Sequence, residues 1–209
     1  MTVADDGVVG TTNGKRQPDG RVQAGFDTPP SDDRPVTGVV AAFDAAIDSA
    51  FDRLRGREPF DTAASVLSNL ADYGFVWSLV AGIKGLRRGT ARRRAVRALS
   101  LSGSASFGAN AAIKYLVDRG RPEGADSASG VRTPTSSSFP SGHTLAAFCT
   151  AVALADSPAE LAVYLAFAGA VAASRVHLRA HHPSDVAGGA VVGSVLGFAV
   201  RRVVRAVSR

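Results

Sequence analysis

Cysteine is almost missing from this 209-residue sequence: Cys149 stands alone, which excludes an intramolecular disulfide and any zinc site built on cysteine. Stability must therefore come from packing or from a bilayer. Lysine is nearly as scarce. Of the 24 basic residues only three are Lys, so the net charge of +6 rests on guanidinium groups that stay protonated at any working pH. The length for a multidomain machine is also absent, since domains run about 100–200 residues. Residues 1–35 lack apolar periodicity. With five Gly, four Pro and six Asp they cannot bury enough surface to offset ordering entropy, and they read as a disordered tail ahead of one domain over 36–209. No secretory signal is expected in the tail, because Asp5 and Asp6 stand where a basic n-region belongs and no apolar h-region follows.

The mean hydropathy of +0.09 averages this polar tail with a strongly apolar remainder. From 36 to 55, Val39, Val40, Phe43, Ile47, Phe51 and Leu54 recur at mostly three- and four-residue spacings, with Asp44, Asp48 and Asp52 on another face. That pattern predicts an amphipathic helix, and its three acids suit an interfacial or re-entrant position better than a lipid-spanning one. Four apolar stretches follow, at 62–83, 95–117, 143–176 and 186–204. The third is long enough to fold back on itself, and Asp156-Ser157-Pro158 marks its turn. The expected architecture is all-α: an integral membrane bundle of about five core transmembrane helices plus the amphipathic one. Gly189, Gly193 and Gly197 lie at four-residue spacing in the last stretch and form a ridge on which another backbone can rest.

Position sorts the arginines. One set lies in the 84–97 loop and another at the C-terminus, and the positive-inside rule puts both in the cytoplasm. Five crossings then bring the 118–142 and 177–185 segments together on the outer face. A nucleic-acid role for the Arg run is disfavoured, since it sits between apolar spans where topology and anionic lipid account for it. Arg132 and Arg179 read as snorkelling cations, and Asp118 with Arg119 as a local pair. Asp72, Trp77 and Asn110 read as bundle or interface residues, and Cys149 as inert packing.

The outer segments hold the costly polar residues. Lys114 and Arg121 stand seven apart, two helical turns, so both cations can face one side. Pro140-Ser141-Gly142-His143 opens a helix: Ser141 is a suitable N-cap, Gly142 lets a ligand approach, and free N–H groups there favour an anion. Arg175 adds a forked donor matched to phosphate oxygens. His181 and Asp185 lie four apart, so the carboxylate can hold one imidazole nitrogen and leave the other as a nucleophile. His143 can protonate a leaving oxygen and later accept a proton from water. Phosphoryl transfer needs in-line positioning and charge neutralisation above all, and Lys114, Arg121, Arg175 and the amides near Ser141 and Gly142 could supply that neutralisation. A metal cluster of His177, His181 and His182 is disfavoured, because no His-Glu-x-x-His pattern is present; His182 before Pro183 reads as turn chemistry.

These segments resemble the type 2 phosphatidic acid phosphatase superfamily, the lipid phosphate phosphatases. Its signature is Lys, six residues, Arg-Pro; then Pro-Ser-Gly-His; then Ser-Arg, five residues, His, three residues, Asp. Lys114 to Arg121-Pro122, Pro140 to His143, and Ser174-Arg175 through His181 to Asp185 match it at every position. The resemblance implies a phosphohistidine on His181, His143 as acid and then base, Asp185 orienting His181, and no metal or other cofactor. It also implies a lipid phosphate monoester or diphosphate substrate, hydrolysed at the outer face of the cell membrane, with the C-terminus cytoplasmic. Among lipids, polyprenyl phosphates and diphosphates are favoured, because the Gly/Ala/Arg-rich composition reads like a high-GC prokaryote where similar proteins often recycle such carriers. Phosphatidate or phosphatidylglycerol-phosphate phosphatase activity is the same-class alternative, and a non-catalytic binder or carrier of phosphate head groups is the different-class one. The expected partners are a lipid phosphate and the bilayer, with homo-oligomerisation left open.

Overall fold

Seven helices and no strand occur among the residues that the computed structural model describes, which are 38–71, 74–86, 89–122 and 136–208. They are α1 (Gly38–Asp52), α2 (Glu58–Ala71), α3 (Phe75–Gly85), α4 (Thr90–Leu116), α5 (Gly142–Leu154), α6 (Pro158–His177) and α7 (Pro183–Val207). The expected tail at 1–35 lies outside the described residues, as do Asp72 and Arg132.

The most extensive helix pair is α5 against α7, and glycine explains why. A Cβ on Gly189 would stand 2.8 Å from the Ser141 carbonyl oxygen, and one on Gly197 would stand 2.6 Å from that of Cys149; Gly193 meets the Leu145 backbone in the same way. The ridge therefore advances one turn for each turn of α5, with no side chain between the two backbones. On its outer side α7 carries Val191, Val195 and Phe198, all more than half exposed, as is Val163 of α6. Apolar side chains on the outside and glycine on the inside are the arrangement that a lipid environment selects.

Around this pair, Trp77 of α3 packs edge-on against Tyr164 and Phe167 of α6, with ring centroids 5.8 and 5.6 Å away. Ala81, Ala98, Ala147, Ala151 and Val171 fill the rest of the core. The α5–α6 turn is set locally. Ser157 Oγ accepts the Glu160 N–H at 3.1 Å, and the Glu160 carboxylate accepts the Asp156 N–H at 2.8 Å. Lys84 at the end of α3 joins this turn, 2.8 Å from Asp156 and 2.5 Å from Glu160. Arg97 of α4 bonds the Val207 carbonyl at 3.0 Å, satisfying an orphan acceptor at the C-terminus of α7.

Two expectations change. The stretch 62–83 is not one helix but two, α2 and α3, with Gly74 at a left-handed φ of 66° just before α3. Among the described residues only Pro158–His177 is by itself long and apolar enough to cross a membrane; Glu58–Ala71 and Phe75–Gly85 pass only as a pair. Arginines at the start of α4 and Ser100, Ser102, Ser104 and Ser106 in its middle keep it below that level, as glycine and the terminal arginines do for α7. The bundle is all-α as expected, but hydropathy and length alone do not mark five spans.

Candidate active site

Lys114 is in the last turn of α4, and its ammonium reaches across to the Ser137 carbonyl at 2.6 Å. Arg121 follows in the extended segment beyond α4 and donates to the Ala180 carbonyl at 2.7 Å. The Ser138 N–H returns to the Arg119 carbonyl at 2.8 Å, so the strap 117–122 and the segment 136–141 lie side by side. Arg175 arrives from the last turn of α6, buried, with one guanidinium nitrogen on the Ser68 hydroxyl of α2.

At the head of α5, Gly142 and His143 open onto a cavity of about 430 Å³. Gly142 packs closely there: a Cβ would stand 3.3 Å from the Asn110 side chain, which would have to give by a few tenths of an ångström. Ser141 is fully buried behind them. Its N–H is taken by the Asp185 carbonyl at 3.1 Å, and its hydroxyl accepts from Thr144 at 3.0 Å. The Ser141 amide is thus committed to holding α5 on α7, and of the two amides expected to meet an anion only that of Gly142 belongs to a cavity-lining residue.

His181 lies between α6 and α7 and is buried on all but the cavity side. Its Nδ1 is 2.8 Å from the Ser138 carbonyl oxygen. A carbonyl can only accept, so Nδ1 carries the proton and Nε2 keeps its lone pair. Asp185 is farther away, with Oδ2 3.8 Å from Nδ1, beyond hydrogen-bond length. The reason is that Asp185 is the third residue of α7 and spends Oδ2 on the His182 N–H at 2.9 Å, as helix-opening acids do. Burial pushes the His181 imidazole down to about 4; Asp185 opposes that shift, while the charges on Arg121 and Arg175 add to it.

Lys114, Arg121, Gly142, His143, Arg175 and His181 therefore meet around one cavity, while Ser141 and Asp185 stand behind it. The cavity continues into a slot of about 460 Å³ between α3, α4 and α5; the two share Gly74, Gly103, Phe107, His143 and Ala146, and Trp77 and Leu99 line the slot beyond. The three histidine-cluster candidates part company: His177 is 2.6 Å from Asp61, His182 opens α7, and of the three only His181 lines the cavity.

Three residues escaped the sequence reading. Asn110, one turn before Lys114, lines the cavity with its buried side-chain oxygen unpartnered among the described residues. Its four-residue spacing from Lys114 was the available signal. Arg119 does not pair with Asp118. It donates to Asp185 at 2.5 Å and to Asp44 of α1 at 2.7 Å, a contact across 75 residues that no local pattern announces. Arg179 likewise bonds Asp52 of α1 at 2.8 Å.

Comparison with known proteins bears on the family and the fold. Residues 95–209 match the model of the PAP2 superfamily. The chain is 32% identical over 163 residues to the decaprenylphosphoryl-5-phosphoribose phosphatase of Mycolicibacterium smegmatis, covering 78% of this chain and 83% of that one. The enzyme of the same name from Mycobacterium tuberculosis is 34% identical over 175 residues, covering 82% and 93%. Among solved structures, the transmembrane PAP2 type phosphatidylglycerolphosphate phosphatase of Bacillus subtilis superposes with a TM-score of 0.66 at 26% identity, covering 83% of this chain and 90% of that one. Aquifex aeolicus LpxE shares the fold, with a TM-score of 0.59 at 20% identity, covering 76% and 94%. The chain belongs to the PAP2 superfamily, the type 2 phosphatidic acid phosphatases, and is a membrane phosphatase of the lipid-phosphate class.

Proposed function

We propose that the chain hydrolyses the phosphate monoester or diphosphate of a polyprenyl lipid, at the outer face of the cell membrane, through a phosphohistidine on His181. The observation that carries this reading is the meeting of three cations and two histidines on one cavity that opens into an apolar slot. In the first step Nε2 of His181 attacks the terminal phosphorus, the bond from that phosphorus to its leaving oxygen breaks (the lipid oxygen of a monoester, the bridging oxygen of a diphosphate), and that oxygen takes a proton from His143. In the second, His143 removes a proton from water, the resulting hydroxide attacks phosphorus, and inorganic phosphate leaves His181 neutral. Lys114, Arg121, Arg175 and the Gly142 amide neutralise the equatorial oxygens, so the scheme calls for no metal. The slot lined by Trp77, Leu99 and Phe107 takes the lipid chain.

The polyprenyl preference is supported by the similarity to decaprenylphosphoryl-5-phosphoribose phosphatases at 32% and 34% identity. Phosphate release by the purified protein from a panel of polyprenyl phosphates, polyprenyl diphosphates, phosphatidate and phosphatidylglycerol phosphate tests it. Fastest turnover of a polyprenyl substrate is expected. Preference for a glycerolipid overturns the tail assignment, and binding without release from any of them makes the protein a head-group carrier. Tags in the connection between α3 and α4 and at the C-terminus should both report cytoplasm if the site faces outward.

A further inference from the structure

The single buried residue of α1 is an acid. Asp44 is only 7% exposed, on a helix whose large apolar side chains Val39 and Phe43 face outward. Burying a carboxylate costs several kcal/mol unless it is fully paired. Here it is: Oδ1 accepts the Ser184 N–H at 2.7 Å, while Oδ2 accepts the Ser184 hydroxyl at 2.8 Å and the Arg119 guanidinium at 2.7 Å. The same guanidinium donates through its other terminal nitrogen to Ser184 Oγ at 2.7 Å and to Asp185 Oδ1 at 2.5 Å. Arg119 thus bridges two buried carboxylates, one on α1 and one at the head of α7. Asp44 lies outside the signature segments, and Arg119 stands within the first of them at one of its six unspecified positions.

We propose that Arg119, held by Asp44, is a positioning residue of the reaction: it fixes the Asp185 carboxylate with Oδ2 toward His181, and so makes α1 part of the active site. The inference rests on the reading of His181 as nucleophile. A carboxylate torsion is broad and two-fold, and with Oδ1 on Arg119 and Oδ2 on the His182 amide only one orientation remains. Asp44 has a second effect. An arginine on Asp185 alone would cancel the charge that steadies the imidazole as it becomes phosphorylated and positive. Two carboxylates around one guanidinium leave a net negative charge beside His181. Second-sphere partners of this kind typically carry a 10- to 100-fold effect when removed.

The test uses the full chain, purified, as Arg119→Gln, Arg119→Lys and Asp44→Asn. Its first arm is kinetic, on a lipid phosphate that the wild type turns over. Arg119→Gln should lower kcat about 10- to 100-fold while KM and inhibition by inorganic phosphate hold within about twofold, because the phosphate cradle is untouched. Arg119→Lys should recover part of the loss, restoring charge but not the fork. Its second arm needs no turnover: the titration of His181 followed by histidine NMR. His181 is faced by Asp185 from α7, Arg175 from α6, His143 from α5, and Lys114 and Arg121 from α4 and its extension. Removing Arg119 gives Asp185 wholly to the imidazole, so His181 should titrate higher; Asp44→Asn gives Arg119 wholly to Asp185, so it should titrate lower. Opposite shifts do not arise from a contact that merely holds the fold. A kcat for Arg119→Gln within about twofold of wild type, or a fall matched by equal weakening of phosphate inhibition, overturns the inference. So does a His181 titration that moves in neither variant. Should Arg119→Gln fail to fold, the near-isosteric Asp44→Asn carries both arms. A wild type inactive on every lipid phosphate counts against the proposed function, and the NMR arm then judges the positioning alone.

Discussion

Nδ1 of His181 meets the carbonyl oxygen of Ser138 at 2.8 Å, and this contact fixes the tautomer of the proposed nucleophile. Ser138 precedes the Pro140-Ser141-Gly142-His143 segment, so the stretch that delivers the proposed acid also orients the proposed nucleophile. The backbone carbonyl does what the sequence pattern assigned to the carboxylate of Asp185. Asp185 acts from 3.8 Å as a charge.

His181 is held neutral down to about pH 4, below its ordinary 6.5, chiefly by burial. The acid limb of kcat/KM is therefore expected near pH 4. The sign for stability follows from proton counting. Between 6.5 and about 4 the unfolded chain binds a proton at this residue that the folded chain does not, so this contribution is complete above 6.5 and shrinks as pH falls. Melting temperatures of wild type and His181→Gln, compared at about pH 5 and about pH 7, should show a steeper loss in the wild type. Equal slopes would show that His181 titrates normally.

Replacing His181 with Ala should remove turnover by roughly 1,000-fold or more and abolish trapping of labelled phosphate on the protein. His143→Ala should slow both steps, with an acid-labile phosphoprotein persisting after a quench if hydrolysis suffers more than formation. Full activity in His181→Ala would sink the phosphohistidine mechanism.

Gly193→Ala should destabilise the protein by about 1–3 kcal/mol, because the new methyl meets the Leu145 backbone rather than a movable side chain. Gly169→Ala in α6, which meets nothing within 4 Å, is the matched control and should be neutral or slightly stabilising. Thermal unfolding in detergent separates the two, and equal melting temperatures would mean the seam is looser than described.

Chelation with EDTA should leave activity standing, since the proposed neutralisation comes from Lys114, Arg121 and Arg175. Activity lost to the chelator and restored by zinc would bring back a metal role for the histidines.

Most of the candidate site was legible because its information is local. Lys114 to Arg121, Pro140 to His143 and Arg175 to Asp185 are short spacings, and each segment sits where a helix begins or ends. The glycine ridge of α7 and the Ser157 turn were legible for the same reason. The break between α2 and α3 was not, because the apolar runs on either side of Asn69, Asp72 and Gly74 add up to the length of one span. Arg119 was misread because Asp118 offered a partner next door, whereas its actual partners, Asp44 and Asp185, lie 75 and 66 residues away. Hydropathy and length alone mark fewer spans than the sequence reading expects. Small residues make α4 and α7 good packing helices and poor hydropathy peaks.

The seam between α5 and α7 has a consequence for how this enzyme can change over generations. His143 rides on α5 and His181 lies two residues before α7, so the gap between the proposed acid and the proposed nucleophile is gauged largely by main chain resting on main chain, with no side chain of α7 to trim or swell. Substrate choice can drift through the walls of the slot, at Trp77, Leu99 and Phe107, without touching that gauge. A lineage is thus free to exchange one lipid tail for another while the spacing of its chemistry stays fixed.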